Sequence, residues 1–122
     1  SALVILIAVV ALGGYAQKAQ GPQINIVDFH VVKDQNKVSI NWSTDKKVAN
    51  NYFEVERSNE GKNFKTVAYV LGPDPARANC DCYGCFDKIS TNNNNRESYY
   101  RLKHVDSHGG VEFSDVQTLA LK

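Results

Sequence analysis

The sequence predicts an all-β fold of two packed antiparallel sheets, and three observations predict it. Apolar and polar residues alternate with a period of two in several short runs. Clusters of Gly, Pro, Asn, Asp and Ser punctuate those runs at the spacing of a sandwich. Beyond residue 17 no stretch keeps a helical period. Seven strands joined by hairpin-like turns bury their apolar faces most simply as two facing sheets.

The chain divides into an apolar N-terminal segment at 1–16, a linker at 17–23 and a folding unit at 24–122. Residues 2–12 (ALVILIAVVAL) are apolar and uncharged, and Gly13, Gly14, Tyr15 and Ala16 follow. This is the composition of the core and cleavage zone of an export signal, with a cut expected near Ala16. As a helix, which is the expected state, the segment would be roughly 24 Å long. That falls short of the roughly 20 apolar residues a comfortable membrane span needs. If retained, it must leave water, because each large side chain gains roughly 1.5–3 kcal/mol on burial. Packing between subunits would supply that shelter, with Leu3, Val4, Ile5, Leu6, Ile7, Val9, Val10 and Leu12 as the contacts. The same Val/Ile-rich run also suits a strand donated to a neighbour's sheet.

Residues 17–23 (QKAQGPQ) are polar and contain Gly21-Pro22, as a linker does. Residues 24–32 (INIVDFHVV) form the first expected strand. Residues 37–43 (KVSINWS) alternate cleanly, placing Val38, Ile40 and Trp42 in the core and Ser39, Asn41 and Ser43 outside. In 52–58 (YFEVERS), Phe53 and Val55 face inward and Glu54 and Glu56 outward. A turn at 59–62 leads to a strand at 64–71 (FKTVAYVL). Gly72-Pro73-Asp74-Pro75 then breaks the pattern. A weaker strand is expected at 83–89, a loop at 91–96 and a strong strand at 98–106 (SYYRLKHVD), with Leu102 in the core. After the turn at 107–110, a last strand at 111–121 (VEFSDVQTLAL) closes the fold.

Composition narrows the function. The chain is 43% hydrophobic and 22% charged, which is globular and not disordered. A net charge of +1 gives no basic face for nucleic acid or for an anionic membrane surface. Contact with a membrane is expected only during export. Lys46-Lys47 and Arg101 with Lys103 are too sparse to change that.

Several motifs point to a family. They are Asn41-Trp42-Ser43-Thr44, residues 50–58 (NNYFEVERS), Gly61-Lys62-Asn63-Phe64, residues 99–106 (YYRLKHVD), Gly109-Gly110 and Phe113-Ser114-Asp115. Together they resemble the fibronectin type III-like, immunoglobulin-like domains of secreted and surface proteins of the Bacteroidetes. The resemblance covers roughly residues 24–120 and holds in spacing as well as in motif. It departs at Lys47, where the family often has an acidic residue, and in an enlarged stretch at 73–87. It implies a β-sandwich and an exported setting, and it supplies no catalytic site.

Cys80, Cys82 and Cys85 lie within six residues. Three thiolates are one short of a structural zinc site, and no fourth ligand is evident. Phe86 stands where a haem-attachment motif needs His. The expected outcome is one disulfide within the loop, with the third thiol free or bridging subunits. Trp42 reads as core, and Tyr99-Tyr100 as one ring in and one out. His30, His104 and His108 are scattered and read as surface or strand-edge residues. Asn41-Trp42-Ser43 is formally a glycosylation triplet, but it falls inside a strand.

No catalytic motif is present, so no enzyme, cofactor or metal is expected. The first expectation is a structural subunit of a cell-surface or extracellular assembly. It would be a pilus-like homopolymer with its apolar start packed between subunits. The alternative is a secreted adhesion module that recognises glycan or protein, with 1–16 as an export signal.

Overall fold

The computed structural model describes residues 25–45, 52–90 and 94–122. The apolar segment 1–16, the linker 17–23 and Lys46-Lys47 lie outside the described residues. So do all eight expected assembly contacts from Leu3 to Leu12.

Eight strands are present and no helix occurs among the described residues: β1 (Ile26–Asp34), β2 (Lys37–Thr44), β3 (Tyr52–Ser58), β4 (Lys65–Val70), β5 (Cys82–Lys88), β6 (Glu97–Val105), β7 (Val111–Phe113) and β8 (Gln117–Ala120). One sheet runs β1-β2-β5. The other runs β4-β3-β6-β7, with β8 also on β6. Every pairing is antiparallel.

The count of eight replaces the expected seven because the last strand is interrupted. β7 follows β6 from Val105 to Lys103, and β8 follows it from Tyr100 to Glu97. Between them, Ser114 occupies the ladder itself. Its Oγ accepts from the Leu102 N–H at 2.8 Å, and its own N–H donates to the Leu102 carbonyl at 2.9 Å. A side-chain oxygen thus stands in for a backbone acceptor, and the strand breaks without orphaning its neighbour. The first strand begins and ends two residues later than its pattern suggested. The stretch at 83–89 proves to be a full strand in register with all of β2 from Lys37 to Ser43.

The two sheets meet over Val38, Ile40, Trp42, Phe53, Val55, Val70, Tyr83, Tyr100, Leu102 and Leu119, all buried. Period-two alternation puts them there: on β2 every second residue from Val38 to Thr44 is buried. Trp42 stacks on Tyr83 with ring centroids 5.6 Å apart, and Phe53 meets both edge-on at 5.3 and 4.9 Å. At one end of the sandwich a polar bridge joins the sheets. Asp87 of β5 accepts the Tyr100 hydroxyl at 2.8 Å and pairs with Arg57 of β3. Arg57 and Tyr100 sit side by side in the β3–β6 register, so both reach one carboxylate.

Two sequence expectations need correction. Glu54 and Glu56 are buried, each 8% exposed, although their strand alternates. β3 lies between β4 and β6, and its neighbours cover and neutralise both carboxylates. Arg101 Nε donates to Glu56 Oε1 at 2.6 Å, Thr66 donates to Glu54 at 2.8 Å, and Lys103 stands 3.8 Å from Glu54. Arg101 is in turn clamped between the Phe64 and Phe113 rings, 4.2 Å from each centroid.

His104, expected near the surface, is 2% exposed. It shares the inward face of β6 with Ser98, Tyr100 and Leu102 and packs 5.0 Å from the Phe53 ring. Its Nε2 has no hydrogen-bond partner among the described residues.

Ile40 is fully buried between the sheets, so Ile40→Ala is expected to cost roughly 2–5 kcal/mol. A urea titration would show it as a lower midpoint at unchanged slope.

His104 predicts a pH dependence. Burial holds its imidazole below the ordinary histidine value, against the opposing pull of Glu112 and Asp106. The unfolded chain therefore takes up the proton first. Its contribution is complete above about pH 6.5 and is lost as pH falls below that. Glu60 and Asp106 act lower, in the carboxylate range, because backbone N–H groups hold both down. The urea midpoint should fall between about pH 7 and pH 5. His104→Leu should flatten that interval and leave the more acidic limb in place.

Candidate functional site

The outer face of the three-stranded sheet carries a concave, mixed polar and apolar site. On β2, Ser39, Asn41 and Ser43 face away from the core because Val38, Ile40 and Trp42 face into it. Across the sheet, Asn41 stands opposite His30 of β1 on one side and Gly84 of β5 on the other. These three residues form one rung.

β1 does not follow β2 evenly. The register shifts between Val27 and His30, so β1 bulges there. Asp28 lies in the bulge with φ of 54°, a left-handed conformation that Asp adopts at some steric cost. The bulge aims the Asp28 carbonyl at the imidazole of His30, and Nδ1 lies 2.8 Å from that oxygen. A carbonyl only accepts, so Nδ1 carries a proton, and in that neutral tautomer Nε2 is left as an acceptor.

Gly84 leaves room for the Asn41 amide. A Cβ built at Gly84 would lie 2.7 Å from Asn41 Oδ1. The amide nitrogen of Asn41 donates to Ser39 Oγ at 2.9 Å, which fixes the amide's orientation. Ser43 Oγ donates to the Val27 carbonyl at 3.4 Å.

The fourth wall comes from the connection between β4 and β5. Its Asp74 N–H donates to the Cys82 carbonyl at 2.7 Å, and its Arg77 N–H donates back to the Asp74 carbonyl. Cys80 and Cys82 form a disulfide at the end of this loop. These ties bring Arg77 over the face. A cavity of about 450 Å³ results, lined by Asp28, His30, Asn41, Ser43 and Arg77, with Phe29, Trp42 and Cys82 completing it. Neither Asp28 nor Arg77 makes a side-chain ion pair among the described residues.

The other sequence-level candidates fall elsewhere. Cys85 is free and lies on the inner face of β5, opposite Ile40. It is three residues from Cys82, so the two side chains leave opposite faces of the strand. Burial first, then the Asp87 charge, pushes its thiol up to about 11. Val38, Ile40, Trp42, Phe53, Val55 and Leu102 are all core residues. Tyr100 is buried, and Tyr99 lies on the other face against Gly61, whose φ of 85° a side chain would strain. His108 sits in the exposed turn after β6. Among the described residues no three His, Cys, Asp or Glu side chains gather as a metal site.

Sequence reading missed Asp28, Arg77 and Gly84 as parts of one place. Nothing in the β1 run marks a bulge, and the loop that carries Arg77 has no periodicity. The one available signal was a glycine inside a strand, which often marks close approach of another group.

No protein-family model matches the chain, and no curated protein matches it either. Among solved structures it is similar to the pectate lyase Pel3 from Pectobacterium carotovorum, at 22% identity and a TM-score of 0.52. The match covers 75% of this chain and 25% of that one, so the chain spans about a quarter of that protein's length. At this identity the likeness concerns the fold alone.

The position of Cys85 predicts its chemistry. The thiolate is the reactive form, and a thiol pushed from 9.0 up to about 11 has a thiolate fraction at neutral pH lower by about 100-fold. Alkylation by iodoacetamide at pH 7.5, followed by intact mass, should be slower than that of an unfolded cysteine peptide by about that factor. Reduction should then release two further reactive thiols, from Cys80 and Cys82.

Proposed function

We propose that the chain is a non-catalytic, exported recognition module built on a fibronectin type III-like sandwich. The strand order β1-β2-β5 against β4-β3-β6 with β7 and β8 supports that sandwich type, together with the motif resemblance. Export is supported by the apolar run at 2–12 with small residues after it, and by a disulfide suited to an oxidising compartment.

The observation that carries the recognition reading is the cavity on the outer face of β1-β2-β5. The sandwich does not need it. Its polar residues lie outside the core, with Phe29, Trp42 and Cys82 in its walls belonging to or packing against the core, and Arg77 and Asp28 hold charges that no ion pair among the described residues uses. A bulge, a strained Asp and a tied-down loop all shape the same hollow. Such features concentrate at sites that contact a ligand.

A second reading, an assembly subunit, has its own support. Residues 83–88 of β5 form a regular ladder edge with Phe86 exposed, and residues 2–12 offer a segment of suitable composition to pack between copies.

The full chain should bind a surface polysaccharide or an extracellular protein saturably in biolayer interferometry. Arg77→Ala should weaken that binding about tenfold without moving the urea midpoint. Panels of both kinds that yield no saturable binding would sink the recognition reading. Light scattering of the same material addresses assembly: an oligomer that dissociates when residues 1–12 are deleted supports a subunit role, and a monomer at all concentrations removes it.

A further inference from the structure

We propose that the cavity beneath Arg77 binds a neutral sugar ring through its hydroxyl groups. This rests on the recognition-module reading and names the ligand class of that site. The argument is an inventory of the hydrogen-bonding groups left over once the protein's own bonds are made.

His30 donates through Nδ1 to the Asp28 carbonyl, and in that neutral tautomer its Nε2 is an acceptor. Asn41 gives one amide hydrogen to Ser39, keeping Oδ1 as an acceptor and a second N–H as a donor. Ser43 gives its proton to the Val27 carbonyl and keeps its oxygen lone pairs. Asp28 adds a carboxylate, which accepts only. Arg77 is the one cationic donor among the lining residues. Trp42 Nε1 also lacks a partner among the described residues but is closed to solvent, so the cavity is rich in acceptors, with accessible donors at Arg77 and Asn41.

That balance selects the ligand. A hydroxyl both donates and accepts, so adjacent hydroxyls on one ring can donate to His30, Asn41, Ser43 or Asp28. The same oxygens can accept from Arg77. A carboxylate or phosphate could pair with Arg77, but it donates nothing to His30, Asn41, Ser43 or Asp28 and would face the Asp28 charge. An ammonium group would meet Arg77. The volume of about 450 Å³ lies in the range of small-molecule sites and accommodates one or two sugar rings. Phe29 packs against the core and is half-buried, and the part of it that lines the cavity wall is the apolar surface available to the carbon face of such a ring.

Two features keep these groups in place before a ligand arrives. Gly84 is the residue that lets the Asn41 amide lie flat across the sheet. The Asp28 bulge orients His30. Both orient side chains that would otherwise rotate in solvent, which lowers the ordering cost of binding.

Saturation-transfer NMR on the full chain tests the proposal, with glucose, galactose, mannose and xylose as probes and galacturonate as the charged control. At least one neutral sugar should receive saturation at about 10 mM, a concentration suited to millimolar affinity. Arg77→Ala and Gly84→Ala should each weaken that sugar about tenfold. Arg77 is exposed, and Gly84→Ala asks only the flexible end of Asn41 to move, so both variants should keep the wild-type urea midpoint. Silence from all four neutral sugars overturns the proposal, as does transfer to galacturonate alone, or affinity unchanged in both variants. If the sugars fail while an Arg77-dependent protein ligand is found by interferometry, the ligand class falls and the module reading survives. If both fail, both fall.

Discussion

The fold depends on three rings meeting between two sheets. Trp42 and Tyr83 come from adjacent strands of one sheet and stack face to face. Phe53 comes from the other sheet and closes on both with its edge. Aromatic rings of this size bring the largest apolar areas in the core, and their quadrupoles favour the edge-to-face contacts seen here. With the rings fixed, inward and outward positions follow along β2, β3 and β5, because a strand cannot slip by one residue without turning its apolar set outward. Asn41 faces outward because Ile40 and Trp42 on either side of it face inward.

Electrostatics finishes what the rings begin. At one end of the sandwich the Asp87 carboxylate takes a hydroxyl hydrogen from Tyr100 and the charge of Arg57. Burial opposes the charge on Arg57, and the hydrogen bond and proximity of Asp87 outweigh it, so the guanidinium is held more firmly protonated. Burial, followed by the bond to Asp87, pushes the Tyr100 phenol up. A buried pair of this kind adds little net stability over an apolar contact. Its contribution is to specify which end of β5 lies over which end of β6. The outer face of the larger sheet works differently. Glu54 and Glu56 are covered by Lys103 and Arg101, and Arg101 is itself held by two rings. That face pairs its charges within itself, whereas on the opposite face Asp28 and Arg77 have no ion pair among the described residues.

Much of the fold was legible in the sequence because period-two alternation is a local signal with a direct structural cause. Residues 37–43 and 98–106 show it plainly, and both became long strands with every second side chain buried. The break at Ser114 was not legible, since it depends on an oxygen reaching a backbone N–H from another strand. The burial of Glu54 and Glu56 escaped for a similar reason: a carboxylate reads as exposed until its cross-strand partners are known. His104 was misplaced although its parity along 98–106 matched Tyr100 and Leu102, because residue type was allowed to outweigh position. The candidate site was the least legible part. It gathers residues from β1, β2, β5 and the loop at 71–81, and nothing local to any of them announces the others.

The four sheet edges are unequal. β1 is bulged at Asp28, β4 pairs irregularly with β3 near Glu56, and β7 and β8 are halves of a broken strand. Each irregularity spoils the template that an incoming strand would need. Among the described residues β5 alone runs its full length in even register, and beyond Cys82, whose carbonyl already serves Asp74, none of them pairs with its outer row. The molecule is therefore sided: a chain seeking to extend its sheets finds a continuous row of partners along one border. That border adjoins the rung of Gly84, so whatever settled there would raise a new rim beside the hollow.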